Sequence, residues 1–221
     1  LHDQDGRVTV KGFYEDVRPL SKEERDQVAR IPFDEPAYLR ETGSASLFGE
    51  KGFSTYERTG ARPTLEINGI WGGFQGEGTK TVLPSTAHAK ISCRLVAEQD
   101  PVKIADLVAG HIRQVAPAGV KVKTAKSESG AAPYLIPPEH KGLRVAYAVL
   151  KDLYGKDPYW VRMGGTIPAN AMFRDYLGAY TIVFAFGLQD ELQHSPNEFF
   201  RLSGYERGQK AYGMLLDQLG K

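Results

Sequence analysis

The stretch AHAKISCRLVAEQDPVKIADLVAGHIRQV, residues 87–115, predicts a β-strand followed directly by a helix. Apolar and polar residues alternate through the first ten positions, which is the pattern of a strand with one buried face. Asp100 and Pro101 then form an N-cap and first-turn pair, and apolar residues recur on one helical side as far as Val115. The stretch indicates an antiparallel sheet with a helix on one face.

The segments around this stretch extend the same architecture. Strands are predicted at residues 7–10, 64–70 and 120–126, and short helices at 22–31 and 36–41. Residues 127–138 change to Ser, Gly, Ala and Pro, which predicts a boundary between domains 1–128 and 129–221. Beyond it, helices are predicted at 139–154 and 203–219, with a short strand at 159–162 and an apolar one at 180–186, covered on both faces.

Composition limits the possible partners. The 221 residues carry 28 Lys and Arg against 27 Asp and Glu, a formal net charge of +1. Nucleic-acid and membrane-surface binding favour a basic excess, so neither partner is expected. The sequence contains no run of 18 apolar residues, so no membrane-spanning helix is predicted. Cys93 is the only cysteine, which excludes a disulfide framework and a cysteine-based zinc site, and favours a cytoplasmic location.

A second stretch, LQDELQHSPNEFF at residues 188–200, places His194 in a polar loop after the apolar strand. A loop histidine is more often a surface residue than a ligand. The carboxyl end of a strand, however, is where open α/β sheets bind ligands, and a neutral imidazole suits zinc or manganese. His194 is therefore a candidate metal ligand.

Three other places hold candidate substrate-binding residues. Gly164 and Gly165, followed by Thr166, form either a tight turn or a nest of backbone N–H groups that binds an anion, with the Thr hydroxyl as a further donor. Thr81 lies where a glycine-rich loop enters the alternating strand. Arg94, on the polar face of that strand, is either an exposed sheet residue or a bidentate ligand for a carboxylate.

Four sequence motifs, taken in their order along the chain, resemble those of one known protein family. They are Gly72-Gly73 with Lys80-Thr81-Val82-Leu83-Pro84, Ala89-Lys90-Ile91-Ser92-Cys93-Arg94-Leu95-Val96 with Gln99-Asp100-Pro101, Gly164-Gly165-Thr166-Ile167-Pro168, and His194-Ser195-Pro196-Asn197-Glu198. Together they resemble the two-metal aminoacylase/carnosinase type of metallopeptidase, and most nearly the cytosolic non-specific dipeptidases. Each motif alone is weakly specific, whereas four at this spacing across residues 70–200 are specific.

The resemblance implies a metal-binding catalytic domain interrupted by an inserted antiparallel α+β lid that forms the dimer interface. Residues 1–128 then correspond to the lid, and residues 129–221 to the returning part of a mixed-sheet α/β catalytic domain. His194 matches the last metal ligand. The substrate's backbone and carboxylate are held, partly across the dimer, at positions that match Thr81, Arg94, Gly164, Gly165 and Thr166.

Other residues that the resemblance implies have no counterpart in this sequence. They are the remaining ligands of two divalent ions, zinc or manganese, and the general base, the first of a Glu-Glu pair; in the family all of them precede the lid. We therefore expect the carboxyl-terminal part of a longer chain, inactive alone, that joins an amino-terminal half of the catalytic domain and hydrolyses dipeptides as a homodimer. Two alternatives stay open: an N-acyl-amino-acid deacylase of the same family, and a non-catalytic dimerisation and substrate-binding module.

Overall fold

A computed structural model describes residues 1–127, 130–165 and 167–221 of the chain. Within these ranges there are seven α-helices and two β-strands, in the order α1 (Lys22–Ala29), α2 (Glu35–Thr42), α3 (Thr55–Ala61), β1 (Thr64–Gly72), β2 (Ala87–Arg94), α4 (Pro101–Val115), α5 (Lys141–Tyr154), α6 (Pro168–Leu177) and α7 (Leu202–Leu219). A 3-10 turn at Gln189–Glu191 precedes α7. Across the described ranges, no helix combines the length and the apolar character needed to cross a membrane.

The chain divides into two compact units. The first comprises Leu1–Tyr134 and Val161–Ala171, and the second comprises Leu135–Trp160 and Met172–Lys221. The main segment of the first unit ends inside the Ser, Gly, Ala and Pro stretch at 127–138. The domain bounds 1–128 and 129–221 stay a prediction. The compact units do not test these bounds, because the first unit also includes Val161–Ala171 from the later part of the chain.

The sheet of the first unit is a hairpin. β1 and β2 pair antiparallel, with Thr64 opposite Arg94 and Gly72 opposite Ala87. The register shifts by one residue near Asn68, as in a β-bulge, which locally increases the twist of the strand. The small antiparallel sheet with helices confirms the predicted fold class.

Helix α4 shares its core with β1 and the amino-terminal segment. Its start is fixed by Asp100, whose carboxylate accepts the Lys103 N–H at 2.6 Å, and by Pro101 in the first turn. The strand and helix predicted from residues 87–115 are both confirmed. The buried residues of this core are Val8, Val10, Phe13, Leu65, Ile104 and Val108.

The second unit is built on α5 and α7. His140 caps α5, its Nδ1 accepting the Gly142 N–H at 3.1 Å. The Tyr212 hydroxyl of α7 donates to the Phe184 carbonyl at 2.6 Å, which attaches the segment before the 3-10 turn to that helix. The buried residues of this core are Ala146, Val149, Phe184, Ala211 and Leu215.

Four strand predictions were wrong. Residues 120–126, 159–162 and 180–186 form no strand in the part of the chain that the structure describes. Residues 7–10 form an isolated antiparallel bridge, Val8 with His2, in place of the predicted strand. A strand needs a neighbour for its backbone hydrogen bonds, and within the described ranges the β1–β2 hairpin is the one sheet.

The prediction that residues 180–186 are covered on both faces was also wrong. Ile182, Phe184 and Phe186 pack in the core of the second unit, whereas Val183 between them is 50% exposed. One side of this segment is therefore covered within the unit, and the other side is open.

Candidate functional site

His194 lies on an exposed loop between the 3-10 turn and α7. Its backbone N–H donates to the Glu198 carboxylate at 3.4 Å. Two consecutive tight turns build the loop, because the Ser195 N–H donates to the Leu192 carbonyl at 3.0 Å and the Glu198 N–H donates to the Ser195 carbonyl at 3.2 Å. The imidazole is thus held at the solvent-facing surface of the second unit.

The backbone of this loop is strained at three residues. Leu192, His194 and Asn197 have φ values of 56°, 63° and 66°, in the left-handed region. Asparagine and histidine enter that region more readily than leucine, but all three are uncommon there. Such residues cost of order 1–3 kcal/mol each, persist only where the surroundings hold them, and cluster at functional sites. The strain supports a functional role for the loop.

Glu191 supplies the surroundings that hold the loop. Its side chain is 2% exposed, and its carboxylate accepts the Leu188 N–H at 2.8 Å and the Arg201 N–H at 2.9 Å. The Leu188 N–H, and then the N–H and guanidinium of Arg201, lower the pKa of Glu191 against the opposing effect of burial. Sequence reasoning missed this residue.

The two predicted substrate-binding residues of the hairpin lie at its opposite ends. Arg94 is the last residue of β2 and its side chain is exposed, whereas its neighbour Cys93 packs against the core of the first unit. Thr81 is exposed in the connection that joins the other end of β1 to β2. At a rise of about 3.3 Å per residue, the ends of β2 are about 23 Å apart. Roles divided between two subunits, as the resemblance implies, are compatible with this separation.

Gly164 packs closely against α3. A Cβ atom at Gly164 would lie 2.5 Å from the Thr59 carbonyl oxygen, whereas one at Gly165 would meet only the end of Met163, at 3.8 Å. Neither glycine has a left-handed backbone, so close packing is what requires glycine at position 164. The anion nest stays a prediction, and Thr166 lies outside the described residues.

The segment that carries these glycines is attached to α1 by charge. The Arg162 guanidinium pairs with the Glu24 carboxylate, which also accepts two hydrogen bonds from Arg18, at 2.7 and 3.2 Å. Burial lowers the pKa of Arg162. Glu24 and Arg162 are 138 residues apart in sequence, and no local pattern connects them, so the sequence carried no signal for this contact.

The chemistry of the His194 side chain fits one ligand position of a divalent-metal site, since a neutral imidazole is a common metal ligand. Zinc takes three or four protein ligands. Among the residues that the structure describes, no group of three or more His, Cys, Asp or Glu is arranged to hold a metal ion. His194 is thus a single potential ligand.

Comparison with known proteins indicates the class of protein to which this chain is similar. Residues 20–120, which include the hairpin and α4, match the family model described as a peptidase dimerisation domain, M20_dimer. The structure is similar to that of an M20 family metallo-carboxypeptidase, Sso-CP2 from Sulfolobus solfataricus, with a TM-score of 0.82 and 28% identity over 98% of this chain and 49% of that one. Residues 20–120 are thus similar to an M20 peptidase dimerisation domain, and the predicted resemblance to metallopeptidases of the carnosinase type is confirmed.

Similarity to individual relatives is more specific. The chain is 29% identical to the Cys-Gly metallodipeptidase DUG1 of Saccharomyces cerevisiae, over 98% of this chain and 45% of that protein. It is 29% identical to the Beta-Ala-His dipeptidase of Homo sapiens, over 96% and 42%. The crystal structure of human carnosine dipeptidase 1 matches with a TM-score of 0.77 and 27% identity, over 97% of this chain and 46% of that one. The chain spans about half the length of these relatives.

Proposed function

We propose that these 221 residues supply one metal ligand, substrate-binding residues and a dimerisation surface to a metal-dependent dipeptidase. The observation that carries the proposal is His194, held in a strained left-handed conformation on an exposed loop of a chain that is similar to dipeptidases over 96–98% of its length. Because the chain spans about half of those relatives, the activity is proposed for the full-length protein that carries these residues.

The metal-binding role belongs to His194. A bound divalent ion, zinc or manganese, supplies an activated water and polarises the scissile carbonyl. His194 binds one of two such ions through a neutral imidazole nitrogen, with the other ligands and the general base outside the described residues. The loop keeps the imidazole at the surface, where ligands from other parts of the protein can join it.

The substrate-binding role belongs to residues of the first unit. The Arg94 guanidinium, exposed at the end of β2, offers two parallel N–H donors to the carboxylate of a dipeptide. In this proposal Gly164 and Gly165 bind the same end of the substrate through backbone N–H groups, with hydroxyls from Thr81 and Thr166. A free carboxylate is what a dipeptide presents at neutral pH, which agrees with this set of donors.

The assembly role belongs to the dimerisation domain at residues 20–120. We propose a homodimer formed through this domain, in a cytoplasmic protein. Exposed apolar residues on the hairpin, among them Ile70 at 78% exposure and Ile67 at 54%, provide a surface that association removes from water.

The test is peptide hydrolysis by the full-length protein. Cys-Gly and β-Ala-His are offered as substrates beside N-acetyl amino acids, before and after treatment with a chelator and after return of zinc or manganese. We expect dipeptide hydrolysis that the chelator removes and the metal restores. Faster hydrolysis of the N-acetyl amino acids identifies a deacylase instead, and no hydrolysis of either class with metal restored contradicts the proposal.

A further inference from the structure

One side chain holds both ends of the loop that carries His194. Glu191 Oε2 accepts the N–H of Leu188, at the start of the loop, at 2.8 Å. Its Oε1 accepts the N–H of Arg201, at the end of the loop, at 2.9 Å. The two stems of the loop are thus joined through a single carboxylate, and we name this arrangement the Glu191 clamp.

The backbone of Glu191 reinforces the clamp. The Phe199 N–H donates to the Glu191 carbonyl at 3.2 Å, so the returning arm of the loop is bonded to Glu191 through its main chain and also through its side chain. At 2% exposure, Glu191 is shielded from water. A buried carboxylate with both oxygens accepting backbone N–H groups gives directional hydrogen bonds, which are stronger than those between neutral groups.

The loop needs such a constraint. Leu192, His194 and Asn197 are all left-handed, and a free loop relaxes from that conformation because each of the three residues prefers another region of backbone space. All three lie between the two stems that Glu191 joins. Opening the clamp therefore releases the backbone conformation of His194.

We infer that Glu191 is a positioning residue that fixes the direction in which His194 is presented to a metal ion. The assignment of the ion rests on the proposed function, whereas the clamp itself rests on the geometry of the loop. Glu191 touches neither substrate nor metal in this inference. It acts through the backbone, in the way that outer residues of metal sites orient the ligands.

A purely electrostatic role for Glu191 is separable from the clamp. Arg201 donates to Glu191 Oε1 at 3.3 Å, but it binds Asp190 more closely, with two hydrogen bonds of 2.7 and 2.9 Å. Asp190 is 69% exposed at its side chain. Asp190→Asn thus removes the main charge partner of Arg201 and leaves the stems of the loop joined, which makes it the matched control.

The experiment compares the full-length protein with its Glu191→Gln, Glu191→Ala and Asp190→Asn variants. Gln keeps the size of Glu191 but places an NH₂ donor against one of the two stem N–H groups, and Ala removes both bonds. Hydrogen exchange followed by mass spectrometry reports the protection of residues 188–201, with α7 as the internal reference for folding. Competition with a chelator reports zinc affinity on the same samples.

We expect Glu191→Gln to lower the protection of the loop amides about tenfold while α7 is unchanged. Zinc affinity should fall about 10- to 100-fold, as for other residues that orient a metal ligand. Asp190→Asn should leave both quantities within about twofold of the wild-type values, since it weakens only an exposed ion pair and leaves both backbone bonds of the Glu191 clamp intact.

Unchanged protection in Glu191→Gln and Glu191→Ala overturns the clamp. Lowered protection with unchanged zinc affinity overturns the positioning role. A loss in Asp190→Asn equal to that in Glu191→Gln shows that charge pairing with Arg201 is responsible, and also overturns it. The proposed function is tested separately with a His194→Asn variant. If this variant binds zinc as tightly as the wild type does, the proposed function fails, whatever the result for the clamp.

Discussion

Glu24 joins three parts of the first unit through one carboxylate. It accepts two hydrogen bonds from Arg18 and one from the Ser21 N–H, at 2.8 Å, and it pairs with Arg162. Its side chain is 18% exposed. Removing one member of such a cluster leaves guanidinium groups partly buried and unpaired, which costs more than the loss of an exposed ion pair.

We predict that Glu24→Gln lowers the free energy of unfolding at pH 7 by about 1–3 kcal/mol. Gln preserves the capping box at the start of α1, so the change isolates the charge. Burial raises the pKa of Glu24, but the hydrogen bonds from Arg18 and Ser21 lower it by a larger amount. The net pKa is therefore below the usual value.

The pH dependence of this stabilisation follows from the direction of the shift. A carboxylate with a depressed folded-state pKa stabilises the fold above its unfolded pKa of about 4.3, and this contribution is lost as the pH falls through the folded-state value. Urea unfolding of wild type and Glu24→Gln should therefore converge toward acid pH. A difference that grows on acidification would contradict the assignment.

Gly164 and Gly165 are adjacent but differ in their surroundings. We predict that Gly164→Ala destabilises the protein by about 1–3 kcal/mol, because the new methyl group meets the Thr59 carbonyl of α3 and forces the backbone to move. Gly165→Ala, with only the flexible Met163 nearby, should change stability by less than about 0.5 kcal/mol. Thermal unfolding of both variants checks this, and equal effects would show that the turn is not packed against α3.

Arg94 tests the substrate-binding proposal at the level of one side chain. We predict that Arg94→Ala lowers kcat/KM for a dipeptide in the full-length enzyme. The expected loss of transition-state stabilisation is about 2–3 kcal/mol, the order of a charge-assisted hydrogen bond. Lys90→Ala is the control, since Lys90 is a cation exposed on the same strand. Steady-state kinetics that are unchanged in Arg94→Ala would reduce Arg94 to an exposed residue of the sheet.

At the scale of elements, the sequence predicts best where the signals are local. The bounds of β2 and α4 follow from alternation and from the Asp100-Pro101 cap, and α5 and α7 fall within two residues of their predicted ends. The apolar run at 180–186 was misassigned because strand formation depends on a partner strand, and periodicity within the run carries no information about one. Helices α3 and α6 were missed; α3 is a seven-residue helix with a Ser54–Glu57 capping box inside a Gly- and Pro-rich segment.

The candidate site was predictable in part. The polar run after residue 187 indicated a loop around His194, and the structure has one there. The clamp was not predictable, because a 3-10 turn directs the Glu191 carboxylate toward two N–H groups that are 13 residues apart in sequence. Residue type shows which groups can bond, and only the path of the chain shows which ones meet.

The exposed apolar side chains of the hairpin lead to a prediction about dimer formation. Ile67, Ile70 and Trp71 are 54, 78 and 41% exposed on β1. We predict dimers in sedimentation equilibrium at micromolar concentration and a shift to monomer in Ile70→Glu, because burying an unpaired carboxylate in the interface is costly. Phe48→Glu, which changes an exposed apolar residue outside β1 and β2, should remain dimeric. A wild-type protein that is monomeric throughout the range would count against the interface.

At the scale of the whole molecule, the proposed roles are divided between the two units. Arg94, Thr81, Gly164 and Gly165 belong to the first unit, and His194 belongs to the second. Substitutions of substrate-binding residues should therefore change kinetics without changing metal content, whereas substitution of His194 should change both. The Arg94→Ala enzyme thus serves as a folded, metal-loaded control for variants of the loop.

The measurement that tests the central claim most directly is the metal content of the full-length protein and its His194→Asn variant, taken with dipeptide hydrolysis. Asn removes the imidazole but tolerates the left-handed backbone, so the loop keeps its shape. Gln193→Ala, the neighbouring exposed position, is the control, and the isolated 221-residue chain is measured beside them.

We predict two metal ions per subunit and dipeptidase activity in the wild type and in Gln193→Ala. His194→Asn should hold fewer than two ions and lose activity with an unchanged melting temperature, and the isolated chain should bind no stoichiometric zinc and hydrolyse nothing. Full metal content and full activity in His194→Asn would contradict the assignment of His194 as a metal ligand.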